Sequence, residues 1–131
     1  EGRELTAAVW ENNGKVEALP VIEIKPHEGF YDYKNKYTKG ATEYIVPAKI
    51  EDVIAEGIKK MAVQAHKVLG CSGYSRSDFR VNSDGKIYIL EVNTAPGMTS
   101  TSLVPKAANA MGISMSDFVA AIMKMASCDK I

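Results

Sequence analysis

Three oxygen-bearing side chains lie on two predicted strands of the chain, Asp78 on the first and Glu91 and Asn93 on the second. The intervening Asn82-Ser83-Asp84-Gly85 is typical of a hairpin turn, because Asp-Gly between two strand-like runs favours the backbone angles that a tight turn needs. Folding at this turn brings Asp78 roughly opposite Glu91, while Glu91 and Asn93, two residues apart, point to the same face. Carboxylate and amide oxygens are ligands that Mg2+ prefers, usually with phosphate oxygens completing its shell. The hairpin therefore predicts a divalent-metal site.

The alternative is that these acids are ordinary solvated surface groups, and two features favour the metal site. Glu91 follows Ile87-Tyr88-Ile89-Leu90, a run that is apolar on both faces and therefore predicts a buried strand. The strand then runs into Thr94-Ala95-Pro96-Gly97, at the carboxyl end where open α/β sheets place ligands. Arg76 shares a strand face with Asp78, so it could form a salt bridge with Asp78 or donate its paired N–H groups to another anion.

Three motifs in the chain resemble the C-terminal ATP-grasp domain of the D-alanine–D-alanine ligase family. They are Arg76-x-Asp78, Leu90-Glu91-Val92-Asn93-Thr94-x-Pro96-Gly97-Met98-Thr99-Ser100-x-Ser102-Leu103, and Gly29-Phe30-Tyr31-Asp32-Tyr33-x-x-Lys36-Tyr37. The resemblance extends from Glu1 to about Ala126 and implies an α+β fold, a largely antiparallel sheet flanked by helices. It also implies that residues 1–131 form one catalytic domain of a longer ligase. Without the N-terminal part of that ligase, we expect the fragment to be inactive.

The resemblance implies an activity as well. Ligases of this family use ATP to join two D-alanine molecules into D-alanyl-D-alanine, through an acyl phosphate, for peptidoglycan precursor synthesis. The implied cofactors are ATP and two Mg2+ ions, with Mn2+ as an alternative. The full-length enzyme is expected to be a homodimer.

The site residues that the resemblance implies fall into four groups. Catalytic roles are implied for Arg76, Gly97, Tyr37 and Ser102. ATP binding is implied for Glu4, Phe30, Lys36 and Leu90. Binding of the second D-alanine is implied for Ser102, Leu103 and Tyr37. Metal binding is implied for Asp78, Glu91 and Asn93.

Several of these residues also have a simpler interpretation. Glu4, implied to accept hydrogen bonds from the ribose hydroxyls, could be an ordinary exposed acid. Phe30 and Leu90, implied walls of the adenine site, could be plain core residues, and Ser102 could be an ordinary helix N-cap. The family often has Gly and an apolar residue on either side of the Arg, whereas this chain has Ser75 and Ser77.

Composition excludes some partners and leaves two rival functions. The chain has 131 residues, 46% of them apolar, and 16 basic residues balance 16 acidic ones, which does not favour a nucleic acid or an anionic membrane. Two Cys are too few for a disulfide framework, so we expect a cytoplasmic protein. The rivals are another ATP-grasp ligase, such as a D-alanine–D-lactate ligase or a carboxylase-type relative, and a non-catalytic α/β nucleotide-binding module.

The remaining pattern predicts the elements that carry the site. Three N-terminal strands, residues 4–10, 16–19 and 21–24, are expected to form an antiparallel meander, followed by a functional lid over residues 25–42, with Lys36 and Tyr37 in it. Apolar residues at helical spacing predict a helix over 51–69, with His66 on its surface or boundary. Two further helices are expected after Ser102 and after Ser114 or Ser116, and four Met residues, at 111, 115, 123 and 125, are expected to fill the core.

Overall fold

The computed structural model describes residues 2–26 and 42–126. The strands are β1 (Arg3–Asn12), β2 (Lys15–Ala18), β3 (Ile22–Pro26), β4 (Thr42–Ile45), β5 (Tyr74–Val81) and β6 (Ile87–Asn93). The helices are α1 (Asp52–Val68), α2 (Leu103–Ala110) and α3 (Met115–Met125).

The six strands form one antiparallel sheet in which β1 is central. The strand order is β4-β3-β1-β5-β6, and β2 pairs with β1 on the same edge as β3. The predicted meander is therefore wrong, because β3 pairs with β1 rather than with β2. The pairing with β1 is interrupted near Pro20, which cannot donate a hydrogen bond to the ladder. Between Ala18 and Ile22 the register against β1 shifts by one residue. β2 and β3 together act as one interrupted partner of β1.

Helices cover the two faces of the sheet, so the predicted α+β fold, an antiparallel sheet flanked by helices, is confirmed. On one face, Leu5, Ala7 and Val9 of β1 pack in a cluster with Ile58 and Ala62 of α1. On the opposite face, Ala8 and Trp10 pack with residues of α2 and with Phe118 of α3, whose ring stacks on Trp10 at 5.1 Å between centroids. Both faces of β1 are thus buried at its centre, which explains its continuous apolar run. The α2 and α3 helices pack against the Trp10 half of β1, and the Glu4 half of that face carries polar residues.

Helix α1 begins and ends close to the predicted bounds, but its buried face differs from the expectation. Its fully buried side chains are Ile58, Ala62 and His66, which recur every four residues. Val68 and Leu69 are 85% and 60% exposed, because they lie on other sides of the helix. His66 is buried rather than at the surface, and its Nδ1 lies 2.8 Å from Ser75 Oγ. This hydrogen bond joins α1 to β5.

The C-terminal helices follow the prediction in their bounds and differ in their methionines. Ser114 is the N-cap of α3, and its hydroxyl accepts a hydrogen bond from the backbone N–H of Asp117. Met111, Met115 and Met123 are 48%, 37% and 68% exposed, so they do not fill the core of this chain.

The segment predicted as a lid, residues 25–42, is strand at both of its ends. Lys25 and Pro26 belong to β3 and Thr42 begins β4, and these two strands pair with each other. The rest of the predicted lid lies outside the described residues. Among the helices of residues 2–26 and 42–126, none has the length and apolar character that a membrane span requires.

Candidate functional site

The predicted hairpin is confirmed, and it brings the acidic residues together. Asp78 of β5 lies directly opposite Glu91 of β6, and Arg76 lies opposite Asn93. At the turn, the side-chain oxygen of Asn82 accepts hydrogen bonds from the backbone N–H groups of Asp84 and Lys86, at 3.1 and 2.8 Å. The turn also needs a left-handed backbone at Gly85, with φ of 76°.

A β-bulge at Leu90 sets which side chains share the site face. Asp78 pairs with Glu91, but the next residue, Phe79, pairs with Ile89, so Leu90 has no partner on β5. Bulges of this kind change the direction of side chains and are frequent next to functional sites. Here the bulge leaves both Glu91 and Tyr88 opposite alternate residues of β5, Asp78 and Arg80, on one face.

Arg76 is the cation at the centre of this face. Its Nε donates to Asp78 Oδ1 at 2.9 Å and its Nη2 donates to Asp78 Oδ2 at 2.8 Å. The same Nη2 lies 3.8 Å from Glu91 Oε1, and the Arg76 side chain is only 10% exposed. The salt bridge that the sequence left as an alternative is therefore present, and Arg76 contacts two of the three predicted metal ligands.

Thr6 is a member of the cluster that the sequence reasoning missed. It lies opposite Asp78 on β1, it is buried, and its hydroxyl lies 2.6 Å from Asp78 Oδ1 and 3.1 Å from the carbonyl oxygen of Ser77. Its single hydrogen is best donated to the carboxylate, which is nearer and charged. A signal was available, since Thr6 is the one hydroxyl in the apolar run Leu5–Val9 of a central strand.

The donor set suits a hard divalent cation that keeps most of its shell from other sources. The Glu91 side chain is 62% exposed, while Asn93 Oδ1 accepts from the backbone N–H of Ala95 at 3.0 Å. Within residues 2–26 and 42–126, no group of three or more His, Cys, Asp or Glu side chains could hold a metal. Mg2+ is usually bound through one or two carboxylates plus phosphate oxygens and water, so Asp78 and Glu91 fit that mode.

Two arguments made for the metal site from the sequence are wrong. β6 is an edge strand of the described sheet, and Tyr88, Ile89 and Leu90 are 44%, 40% and 57% exposed. Apolar residues on both faces of β6 therefore do not mean that Glu91 is buried in this chain. The sheet is also antiparallel, so the rule that places ligands at the carboxyl ends of parallel strands does not apply. The support for the site is the geometry around Arg76.

A small cavity adjoins the Arg76 cluster. Its volume is about 160 Å³. The lining residues are Glu4, Leu5, Ile24, Asp78, Phe79, Leu90 and Glu91. Leu90 is thus a cavity wall and not a plain core residue, which removes one of its two interpretations.

Glu4 is not an ordinary exposed acid, since its side chain is 19% exposed. Its Oε1 accepts a hydrogen bond from Arg80, and its Oε2 is buried with no hydrogen-bond partner within the described ranges. Burial raises the pKa of the Glu4 carboxyl above its ordinary value, although the positive charge of Arg80 opposes this shift.

A second group of predicted site residues follows β6 in the chain and consists of Gly97, Ser102 and Leu103. Ser102 is the N-cap residue of α2 by position, but its side chain does not cap the helix. Its Oγ instead accepts from the backbone N–H of Thr99 at 3.0 Å and bonds to Thr99 Oγ1 at 2.8 Å. A Cβ on Gly97 would come within 3.0 Å of Ser102 Oγ, so only glycine fits here without displacement. Leu103 is the first helical residue, and its backbone N–H has no acceptor inside the helix.

The remaining predicted site residues, Phe30, Lys36 and Tyr37, lie outside the described residues. The two serines that depart from the family pattern have different surroundings. Ser75 is buried and bonded to His66, whereas Ser77 is buried and its Oγ has no partner in the described part of the chain.

Comparison with known proteins identifies the class and then the family. Along 95% of its length the chain superimposes, with a TM-score of 0.77 and 38% identity, on 39% of a solved D-alanine–D-alanine ligase from Bacillus anthracis in complex with ATP. A VanG D-Ala:D-Ser ligase from Enterococcus faecalis gives a TM-score of 0.76 at 35% identity, over 95% of this chain and 36% of that one. These neighbours place the chain in the ATP-grasp class of ligase folds.

The family follows from the sequence comparisons. Residues 1–124 match the family model described as D-ala D-ala ligase C-terminus, and the chain belongs to that family. A D-alanine–D-alanine ligase from Bordetella avium (strain 197N) is 49% identical over 127 residues, which are 97% of this chain and 40% of that relative. The chain thus spans well under half the length of the curated relatives that it matches.

Proposed function

We propose that this chain is the C-terminal part of a ligase that uses ATP to join two D-alanine molecules. The observation that carries the proposal is the contact of Arg76 with both Asp78 and Glu91, beside the cavity that Glu4 and Leu90 line. A fixed cation between two carboxylates, next to a cavity with both polar and apolar walls, suits a nucleotide with its phosphates. Relatives named D-alanine–D-alanine ligase, which are 44–50% identical to this chain, support the choice of reaction.

Arg76 would act on the phosphoryl group during transfer. In the first step the carboxylate of one D-alanine attacks the terminal phosphorus of ATP, and ADP leaves, so two anions must approach each other. The positive charge of the Arg76 guanidinium would stabilise the charge that develops in the transition state. In the second step the amine of the other D-alanine attacks the acyl phosphate carbonyl, and phosphate leaves. The product is D-alanyl-D-alanine, a peptidoglycan precursor.

Asp78, Glu91 and Asn93 would hold Mg2+ at the same face. When bound, the metal would neutralise phosphate charge during the transfer. Asp78 is already oriented by Arg76 and Thr6, and Glu91 is exposed enough to reach a ligand. Two ions, with Mn2+ as a substitute, are part of this proposal.

Glu4 and Leu90 would bind the nucleoside. The buried Oε2 of Glu4 needs a hydrogen-bond donor, and a ribose hydroxyl supplies one. Leu90, 57% exposed on the wall of the cavity, offers apolar surface to the adenine ring. Phe30 and Lys36 remain predictions for the adenine and the terminal phosphate.

Gly97, Ser102 and Leu103 would bind the carboxylate of the second D-alanine. The unpaired N–H groups at the start of α2 attract an anion, and the hydroxyl of Ser102 lies at the same point. Gly97, next to Ser102 Oγ, would leave room for its backbone N–H to approach the developing oxyanion. Tyr37 remains a prediction for closure over this substrate, and a cytoplasmic, homodimeric full-length enzyme completes the proposal.

Release of ADP by the full-length protein tests this function. We expect release that depends on D-alanine, loss of it in Glu91→Gln, and little change in Glu56→Gln, an exposed acid on α1. We expect the 131-residue chain alone to release none. ADP release that does not depend on D-alanine, or that requires D-serine or D-lactate as the second substrate, would contradict the proposed reaction. The D-serine arm is included because of the likeness to the VanG ligase.

A further inference from the structure

Glu4 and Arg80 form a pair of opposite charges across two strands on the site face. The two residues lie directly opposite each other on β1 and β5, and Arg80 Nη2 donates to Glu4 Oε1. Their side chains are 19% and 25% exposed, so the pair is shielded from much of the solvent. On the same strand β5, Arg76 holds Asp78 in a similar way, so Glu4 and Asp78 are each bound by a separate arginine.

The pairing uses only one side of the Glu4 carboxylate. Oε2 is buried and lacks a hydrogen-bond partner among residues 2–26 and 42–126. Leaving a buried acceptor unsatisfied is unfavourable, so an acceptor in this state is best explained by a donor from a ligand. Glu4 lines the cavity beside Asp78, where the proposed nucleotide would lie.

We propose that Arg80 is a positioning residue for the nucleotide, an inference that rests on the proposed function. It binds Glu4 through Oε1 and thereby holds Oε2 in one orientation toward the ribose hydroxyls. The terminal torsion of a glutamate is soft, so a free carboxylate would sample many orientations and would lose that freedom on binding.

A purely structural role predicts something different. If the pair only stabilised the sheet, removing it would lower the stability seen in thermal unfolding and leave the affinity for ATP unchanged. Positioning of Glu4 predicts a change in ATP affinity with little change in kcat, because Arg80 would act through Glu4 and not on the reacting atoms.

The test compares Arg80→Met, Arg80→Lys and Lys59→Met in the full-length enzyme. Lys59→Met is the matched control, since it removes a surface charge that pairs with Glu56 on α1. ATP binding is measured by calorimetry, KM and kcat by ADP release, and stability by thermal unfolding. We expect Arg80→Met to raise the Kd and the KM for ATP about tenfold with kcat within about twofold, since one oriented charged hydrogen bond is lost. Arg80→Lys should give a smaller rise, because lysine keeps the charge and loses the planar geometry.

Three results would overturn the inference while leaving the proposed reaction intact. They are an unchanged ATP Kd in Arg80→Met, a fall in kcat with no change in KM, and an equal weakening in Lys59→Met. If Arg80→Met does not fold, Arg80→Lys decides, and an unchanged ATP Kd there overturns the inference. Failure of the wild-type enzyme to release ADP with D-alanine would instead overturn the proposed function.

Discussion

Arg76 and Asp78, two residues apart on β5, form a two-point ion pair with donor–acceptor distances of 2.9 and 2.8 Å. Alternate residues of a strand share a face, so the sequence order Arg-x-Asp is enough to bring the two side chains together. The pair has a chemical consequence, because a metal ion at Asp78 would compete with Arg76 for the same carboxylate oxygens. Arg76 could then turn to a phosphate. Binding of a metal at Asp78 would thus release Arg76, the cation that would act in phosphoryl transfer.

The hydroxyl of Thr6 should matter to nucleotide binding. Thr6→Val keeps the shape of the side chain and removes the hydrogen bond to Asp78 Oδ1, which measures 2.6 Å. A hydrogen bond to a charged group contributes about 1.5–3 kcal/mol, so we expect the affinity for ATP with Mg2+ to fall about tenfold or more. Calorimetry on the full-length enzyme measures this, and Thr6→Ser is the control that should retain most of the affinity. Equal weakening in both variants would show that packing, rather than the hydroxyl, is responsible.

The two serines beside Arg76 should respond in opposite ways to substitution by alanine. Ser77 Oγ is buried without a partner in the described residues, so Ser77→Ala should raise the free energy of unfolding by about 1 kcal/mol. Ser75→Ala removes the hydrogen bond to His66 and should lower the free energy by about 1 kcal/mol. Thermal and urea unfolding measure both, and a change of the same sign in the two variants would argue against this account.

The ion pair between Arg3 and Glu23 should stabilise the sheet. Glu23 is 2% exposed, and Arg3 donates to both of its oxygens, at 2.8 and 2.7 Å. Arg3→Met leaves the buried carboxylate with Lys25 alone, 3.8 Å away, and should lower the free energy of unfolding by about 3 kcal/mol. Replacing both residues by Met should recover much of the loss. A double variant that is no more stable than Arg3→Met would contradict this reading of the pair.

Stability should depend on pH through Glu4. Because its folded-state pKa is raised above the ordinary 4.5, its contribution to stability is full at lower pH and is lost as the pH rises through the folded value. As the pH rises above the ordinary 4.5, the stability of Glu4→Gln should therefore increase relative to that of the wild type. A hydrogen bond from Lys15 lowers the pKa of Glu17, so the stabilisation by Glu17 is present above the ordinary 4.5 and is lost as the pH falls below it. The stability of Glu17→Gln should therefore increase relative to that of the wild type toward lower pH. Urea unfolding from about pH 3 to about pH 8 measures both variants, and stability differences that change in the same direction with pH would contradict the assignment.

Much of the architecture could be predicted from local signals. Asp84-Gly85 predicted the hairpin, and with it the register that brings Asp78 opposite Glu91. The periodicity of residues 51–69 predicted α1 to within a residue at each end. These signals are local, since a turn and a helix are specified by residues a few positions apart.

What could not be predicted depends on contacts between distant segments. The meander failed because the partner of β3 is chosen by packing and not by sequence order, and Pro20 permits the break that returns β3 to β1. The exposure of β6 was missed because an apolar run does not say which segment covers it. The roles of Thr6 and Arg80 were missed for a related reason. They depend on the pairing of β1 with β5, which are some 70 residues apart in the chain.

The central claim is that Asp78 belongs to a site for ATP with a divalent metal. Calorimetric titration of the full-length protein with ATP, with Mg2+ and after its removal by a chelator, tests it most directly. The control is Asp84→Asn, which changes an exposed acid in the turn of the same hairpin. We predict that the wild type and Asp84→Asn bind ATP in a Mg2+-dependent manner, and that Asp78→Asn binds it at least about tenfold more weakly. Equal, Mg2+-dependent binding by Asp78→Asn and the wild type would contradict the claim.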